Sequence, residues 1–262
     1  MVRVVAVDLD GTLLRSDGTV SPRTVRAIRQ CNERGITVLL VTARAPADTV
    51  PVAAATRVAG TAICCLGAVV CNLADATVHH AWPFPTDVAA ELVNRVRRII
   101  PTATFGWVDE FGSGREPDYP RRLATTGLRL APIDRYLTGE MWHIFVRDGR
   151  RQPIPTARLR AAVGDLAEFT DYGDTLEPVE LTATGVNKGT ALSRWCAAAR
   201  VPADQVVAIG DSKADLPMFA WAGTSAVVGN APPDIRAAAD HVLPDNDSDG
   251  VAVFLERLLA GP

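Results

Sequence analysis

The stretch Val4–Leu14, VVAVDLDGTLL, decides how the rest of the chain is read. Val4 to Val7 is apolar throughout, the pattern of a strand buried on both faces of a parallel sheet. It runs into Asp8, Asp10, Gly11 and Thr12. That places two carboxylates and a glycine turn at the carboxyl edge of a sheet, where open α/β folds bind ligands. Two carboxylates this close repel each other unless a cation lies between them or one takes a proton. Asp8 can therefore serve as an ionised nucleophile beside a metal, with Asp10 carrying the proton. The same letters also fit a plain strand end with a solvated Asp and an Asp-Gly turn. A motif this short does not separate the two readings.

Working outward, Ser21-Pro22 reads as an N-cap and first helical residue. Val25, Ile28 and Cys31 keep helical spacing, and Gly35 ends the helix. Ile36–Val41 is a second buried strand ending on Thr42, Ala43 and Arg44, and Thr61–Val70 is a third apolar run, broken at Gly67. Strand, helix, strand, helix, strand with apolar strands argues for a doubly wound parallel sheet. The pattern changes around Trp82–Pro85. Thr86 is placed to cap a helix whose Ala89, Leu92, Val93, Val96, Ile99 and Ile100 form an apolar stripe, stopped by Pro101. Thr102–Tyr136 reads as irregular, Met141–Val146 as a strand, Thr156–Leu166 as a helix, and Glu168–Leu181 as one or two strands.

The first style then returns. Asn187 caps a helix with Ala191, Leu192, Trp195, Cys196 and Ala199 on one face. Gln205–Ile209 is a strand ending on Gly210-Asp211, Ser225–Val228 and His241–Leu243 are short outer strands, and Val251, Phe254, Leu255 and Leu258 mark a closing helix. The fold class is α/β: a doubly wound, Rossmann-like parallel sheet built from both ends of the chain, with an α+β insert between them.

The 262 residues suit two modest domains, and 48% hydrophobic with 22% charged residues is an ordinary globular balance. A net charge of −3 gives no sign of a nucleic-acid or anionic-membrane partner. No apolar stretch is long enough to span a bilayer. The chain enters its first strand at once, and no signal peptide is expected. The five cysteines, Cys31, Cys64, Cys65, Cys71 and Cys196, show no C-x-x-C spacing. Reduced core thiols in a cytoplasmic protein are the expectation. Of 27 basic residues only Lys188 and Lys213 are lysine. A codon bias toward arginine accounts for the count; against it a lysine can mark a place that needs a compact point charge, while Lys213, between Asp211 and Asp215, reads as a solvent-facing charge partner.

Four strand ends or helix starts line up. The first carries Asp8 and Asp10, and the second carries Thr42, whose hydroxyl can donate to an oxyanion. Lys188 lies in the first turn of a helix, where a cation opposes the dipole and calls for an anion nearby. Asp211 and Asp215 follow the Gln205–Ile209 strand and can join Asp8 in an all-oxygen Mg²⁺ site. A carboxylate nucleophile, a hard cation, a hydroxyl and an ammonium suit phosphoryl transfer.

These residues resemble the haloacid dehalogenase superfamily of phosphatases, in particular its Cof-like branch with a type IIB cap. DLDGTLL matches the first family motif, VTAR the second, GVNKGTAL the third and GDSKADLPMF the fourth. GNAPPDIRAAAD and DNDSDGVAVFLERLL are similar to the family's C-terminal pattern. The resemblance implies a catalytic core of residues 1–81 and 185–262 and a cap of residues 82–184. It implies that Asp8 forms an aspartyl-phosphate and that Asp10 protonates the leaving oxygen, then deprotonates water. Phosphate would be held by Gly11, Thr42, Ala43 and Lys188. Mg²⁺ would be held by Asp8, the Asp10 main-chain carbonyl and Asp211, with Asp215 as ligand or close support. The substrate would be a small phosphorylated metabolite such as a sugar phosphate.

Three positions depart from the family pattern. Ala214 stands where an Asn is usual, Leu66 precedes Gly67 where N-G-A is common, and Ala43 replaces a glycine. None removes a charged group, but the lost amides bear on substrate orientation. Arg44, Leu66, Gly67, Glu110, Arg115 and Tyr119 are candidate substrate contacts, the last three in an arginine-bearing stretch with Trp107, Arg121 and Arg122. Arg95, Arg97 and Arg98 read as a wet helix face, and the four histidines as structural or exposed. A phosphomutase or a glycosyl-phosphate phosphatase would use the same groups. A low-turnover phosphate-ligand sensor is the alternative of another class. A Rossmann oxidoreductase is excluded by the lack of G-x-G-x-x-G after the first strand.

Overall fold

The first strand, β1, is Val4–Val7; a wide turn at Leu9–Leu13 leads into α1, Pro22–Glu33. Next come β2 (Thr37–Val41), α2 (Pro46–Thr56), β3 (Thr61–Cys64), β4 (Val69–Asn72) and β5 (Val78–Ala81). The middle of the chain forms α3 (Thr86–Ile99), β6 (Ala103–Asp109), β7 (Gly112–Arg115), β8 (Arg129–Leu130), β9 (Met141–Asp148), α4 (Thr156–Val163), β10 (Ala167–Thr170) and β11 (Val179–Ala183). It closes with α5 (Lys188–Ala199), β12 (Val206–Gly210), α6 (Leu216–Trp221), β13 (Thr224–Val227), α7 (Pro233–Arg236), β14 (His241–Val242) and α8 (Gly250–Ala260). This computed structural model describes residues 1–120, 128–173 and 175–261. Two units result, Met1–His79 with Asn187–Pro262, and His80–Val186.

The first unit holds a sheet of order β14-β13-β12-β1-β2-β3-β4-β5. Its strands from β14 to β3 run parallel. All four residues of β1 are buried, as a strand flanked on both faces requires. The chain grows from β1 through β2 to β3 in one direction and later from β12 to β14 in the other. The reversal lies between β1 and β12, where Val7 pairs with Ile209. Such a switch point opens a crevice at the strands' carboxyl ends. Helix α1 starts as the sequence predicts: the Ser21 hydroxyl accepts from the Thr24 N–H at 3.0 Å, with Pro22 at the first position. Gly35, at φ 74°, turns the chain out of it.

The third apolar run is two strands rather than one. β3 and β4 pair antiparallel, extending the parallel sheet. The turn between them places Cys65, Leu66 and Gly67 at φ 51°, 55° and 107°. A side chain on Gly67 would lie 2.4 Å from the Asn187 carbonyl oxygen, so only glycine fits.

The second unit has a six-stranded sheet, β10-β11-β9-β6-β7-β8, antiparallel except where β7 meets β8. Trp107 and Leu181 each pair with Ile144, and Phe105 pairs with Val146, so these five side chains share one face. All five are fully buried. With Leu92, Val93 and Val96 of α3 they form this unit's core.

Several expectations are corrected here. The stretch expected to be irregular, Thr102–Tyr136, contains β6, β7 and β8. All seven residues of β6 are buried, so no polar alternation marks it as a strand. Trp107 is core rather than a loop contact, its Nε1 donating to Asp109 Oδ2 at 3.2 Å. Thr86 is the first helical residue of α3 and not its cap; Pro85 precedes it, without a side-chain cap bond. Arg97 is only partly solvated: it bridges Glu116 and Asp134 and lies over the Phe105 ring. Arg121 and Arg122 lie outside the described residues. Among those described, no helix is long and apolar enough to cross a membrane.

All five cysteines are free and buried. Burial pushes the Cys31 and Cys196 thiols up to about 11, out of the reactive range. Titration with a thiol reagent at neutral pH is expected to detect essentially none in the native protein and all five after denaturation. Fast native reaction of Cys31 or Cys196 would contradict this packing.

Candidate active site

β1 and β12 lie side by side and in register, so Asp8 and Asp211 emerge at the same edge. The Asp8 N–H donates to the Ile209 carbonyl at 3.0 Å, which extends the ladder to Asp8 itself. Beyond it the backbone turns through bonds spanning five residues, Leu13 N–H to Asp8 O and Leu14 N–H to Leu9 O. Gly11 makes the turn possible: its φ is 79°, and a Cβ there would lie 2.6 Å from Asp211 Oδ2.

Lys188 is the first residue of α5. Asn187 and Thr190 form a reciprocal cap, with bonds of 2.9 and 3.1 Å, that fixes where the helix begins. Its ammonium opposes the helix dipole and is fully buried, two costs that need anions to offset them. Asp8 Oδ1 and Asp215 Oδ1 each accept from Nζ at 2.7 Å. The other Asp215 oxygen accepts from the Asp211 N–H, the Ser212 N–H and the Ser212 hydroxyl at 3.0–3.1 Å. Thr12 donates its hydroxyl to Asp211 Oδ1 at 2.8 Å.

Asp8, Asp211 and Asp215 offer oxygens that all lie within 4.8 Å of one another. Three carboxylates thus face one ammonium, an excess of negative charge. Burial, then the neighbouring carboxylates, push the Asp8 carboxyl well up against the pull of Lys188. Burial and Asp215 push Asp211 up to about 6. Burial also works against the Lys188 charge, but Asp215 and Asp8 outweigh it and hold the ammonium protonated. A further cation would relieve this excess, and an all-oxygen donor set suits a hard divalent ion. The residues present therefore fit a metal.

Of the other candidates, Thr42 is buried at the end of β2 and its hydroxyl accepts from the Arg44 N–H at 3.1 Å. Asp10 is not in the carboxylate cluster; both its oxygens accept from the Arg44 guanidinium, at 2.6 and 2.7 Å. Leu66 is buried, and its N–H donates to the Thr42 carbonyl at 3.1 Å. Ala43 is half-buried beside Thr42. In the second unit Arg115 and Tyr119 meet, Arg115 Nη1 donating to the Tyr119 carbonyl at 3.0 Å, and both are buried. Glu110 lies at the β6–β7 turn and accepts from the Glu140 N–H at 3.3 Å. His143 is fully buried, its Nε2 3.1 Å from Glu180 Oε2.

Two residues of the site escaped the sequence reading. Asn230 donates to the Gly11 carbonyl at 2.8 Å, and Asn246 donates to the Leu14 carbonyl at 2.9 Å. The Asn246 N–H in turn binds Asn230 Oδ1 at 3.0 Å. They brace both ends of the loop that carries Asp10. The signal lay in the G-N and D-N pairs of the C-terminal pattern.

A parallel sheet with this carboxylate and ammonium cluster at its switch point is suited to a hard divalent cation and an anionic ligand. Comparison with known proteins gives the family. The haloacid dehalogenase-like hydrolase profile matches residues 5–106 and 141–255, and the chain belongs to that family. It is 27% identical to the pyridoxal phosphate phosphatase YbhA of Escherichia coli, over 97% of each chain. It is 26% identical to the 5-amino-6-(5-phospho-D-ribitylamino)uracil phosphatase YitU of Bacillus subtilis, over 97% of this chain and 96% of the other. A solved haloacid dehalogenase-like hydrolase from B. subtilis superposes with a TM-score of 0.82 at 21% identity, covering 98% and 99% of the two chains. The family expected from the four motifs is thus confirmed.

Replacing Lys188 by Met would leave two buried carboxylates without their cation. The expected cost is about 3–5 kcal/mol of stability, read from urea unfolding in the absence of divalent ions. The double variant Asp8→Asn with Lys188→Met should recover part of it. A loss below about 1 kcal/mol, the range of a surface pair, would contradict the buried bridge.

Proposed function

We propose that the protein is a Mg²⁺-dependent phosphatase of small phosphorylated metabolites that works through an aspartyl-phosphate on Asp8. The observation that carries this reading is the buried contact of Lys188 with Asp8 and Asp215, beside Asp211. Mg²⁺ would be held by Asp8, the Asp10 main-chain carbonyl and Asp211, with Asp215 organising the Asp211–Ser212 turn. When bound, it would neutralise charge on the transferring phosphoryl group.

The remaining chemistry is assigned to the chain's own groups. Lys188 fixes one oxygen of Asp8 and so the rotation of the carboxylate. Asp8 attacks phosphorus and the ester P–O bond breaks. Asp10 donates its proton to the departing alcohol oxygen. Lys188, Thr42 and the Gly11 and Ala43 backbone take the phosphoryl oxygens. In the second half, Asp10 removes a proton from the water that attacks phosphorus, which frees phosphate and restores Asp8. Residues 82–184 are read as the cap that selects the leaving group. The two named relatives are phosphatases of unlike small esters, which supports a common phosphate site with a variable leaving-group site.

The test is phosphate release from a panel of phosphorylated metabolites, with Mg²⁺ and with a chelator, for wild type and Asp8→Asn. Hydrolysis that needs the divalent ion and falls about 10⁴-fold or more in the variant is expected. Isomerised product without phosphate release would show a mutase instead. Tight binding with no turnover of any ester would show a sensor.

A further inference from the structure

Asp10 and Arg44 form a fork. Arg44 Nε donates to Asp10 Oδ2 at 2.7 Å and Nη2 donates to Oδ1 at 2.6 Å. A bidentate pair of this kind is among the stronger and more directional ion pairs. It occupies both oxygens of the group assigned above to proton transfer. A carboxylate held in that fork has one lone pair of each oxygen committed to the guanidinium and its orientation set by Arg44. Turning either oxygen toward a leaving group means opening the fork.

The surroundings show what is able to move. The Arg44 backbone is fixed: its N–H donates to the Thr42 hydroxyl and its carbonyl accepts from the Cys65 N–H at 2.9 Å. The Gly11 carbonyl, next to Asp10, is held by Asn230. Only the two side chains are free to part. They are 30% and 61% exposed, so the contact is open to competition from an anion in solution. The pair lies at the end of β1 and β2, the edge that carries Asp8 and Thr42.

We propose that Arg44 is a positioning residue that latches Asp10 in a resting orientation, and that the latch is released by a second anionic group on the substrate. A carboxylate or phosphate offers the planar or clustered oxygens that a guanidinium fork matches, so it can replace Asp10 there. Substrates whose leaving group carries such an anion free Asp10 as they bind. Esters without one leave the latch closed and are turned over slowly. The inference rests on the phosphatase reading and deepens it: the favoured substrates are phosphomonoesters bearing a second acid group.

The experiment compares ethyl phosphate with 2-phosphoglycolate, which have similar chains and differ by a carboxylate. Steady-state kinetics are measured for wild type, Arg44→Gln, Arg44→Lys and Asp10→Asn with Arg44→Gln. Wild type is expected to favour phosphoglycolate in kcat. Arg44→Gln should raise kcat for ethyl phosphate about five-fold, the most that a part-exposed pair withholds. It should lower kcat/KM for phosphoglycolate. Arg44→Lys, which keeps the charge but not the fork, should fall between. The gain must vanish when Asp10 is also Asn, and thermal unfolding checks that each variant is folded. A fall on both esters alike would overturn the latch, since it would show plain structural support. A rise in KM for phosphoglycolate alone, with ethyl phosphate unchanged, would overturn it in favour of simple binding. Absence of Asp8-dependent turnover on every ester would remove the phosphatase reading itself.

Discussion

The buried ammonium of Lys188 is the constraint on which the rest of the site depends. It draws together Asp8, 180 positions earlier, and Asp215, 27 positions later, at 2.7 Å each. Desolvating three charges is costly, and the same volume filled with apolar side chains would hold a fold at least as well. The cluster is therefore better understood as function imposed on a stable sheet than as a source of stability. What makes it possible is the sheet order. Only a strand order that reverses between β1 and β12 brings both carboxylate-bearing loops to one crevice. Only a helix starting at that crevice can bring its first side chain down between them.

Around this bridge, beside the Arg44–Asp10 pair, the loops are held by neutral side-chain donors. Asn230 and Asn246 tie down Gly11 and Leu14, while Thr12 holds Asp211. Neutral donors of this sort fix geometry without altering the local charge balance. That matters where three carboxylates already exceed one ammonium, because another positive side chain would compete with a divalent ion for the same oxygens. Gly11 completes the arrangement from the other side, since any side chain there would fill the space beside Asp211.

Much of this was legible in the sequence, for identifiable reasons. Strands that carry function in an α/β core are continuous apolar runs ending in the reactive residues, so Val4–Val7 and Val206–Gly210 declare themselves. The cap of α5 was legible because Asn187 satisfies a local rule. β6 was not, because all seven of its residues are buried and show no polar alternation, although Thr104, Phe105, Trp107 and Val108 are strand-favouring types. The roles of Asn230 and Asn246 were hidden for another reason: they act through single bonds to carbonyls more than two hundred residues away. The Arg44–Asp10 fork was equally invisible. Both residues were marked as functional, but nothing in their spacing says that they bind each other.

The departures from the family motifs gather where these two kinds of information meet. Leu66 adopts a left-handed backbone, φ 55°, that asparagine takes more readily and a bulky apolar residue does not. It is held there by its N–H on the Thr42 carbonyl, by Cys65 on the Arg44 carbonyl, and by Gly67 against Asn187. The strained turn thus touches the Thr42 loop, the Arg44 backbone and the cap of the Lys188 helix at once. Strain of this kind persists only where the surroundings over-determine it. A leucine at this point exchanges an amide for apolar surface without loosening any of the three connections. The way Asp8 and Lys188 are held does not depend on which side chain stands here, since both contacts are made by other residues.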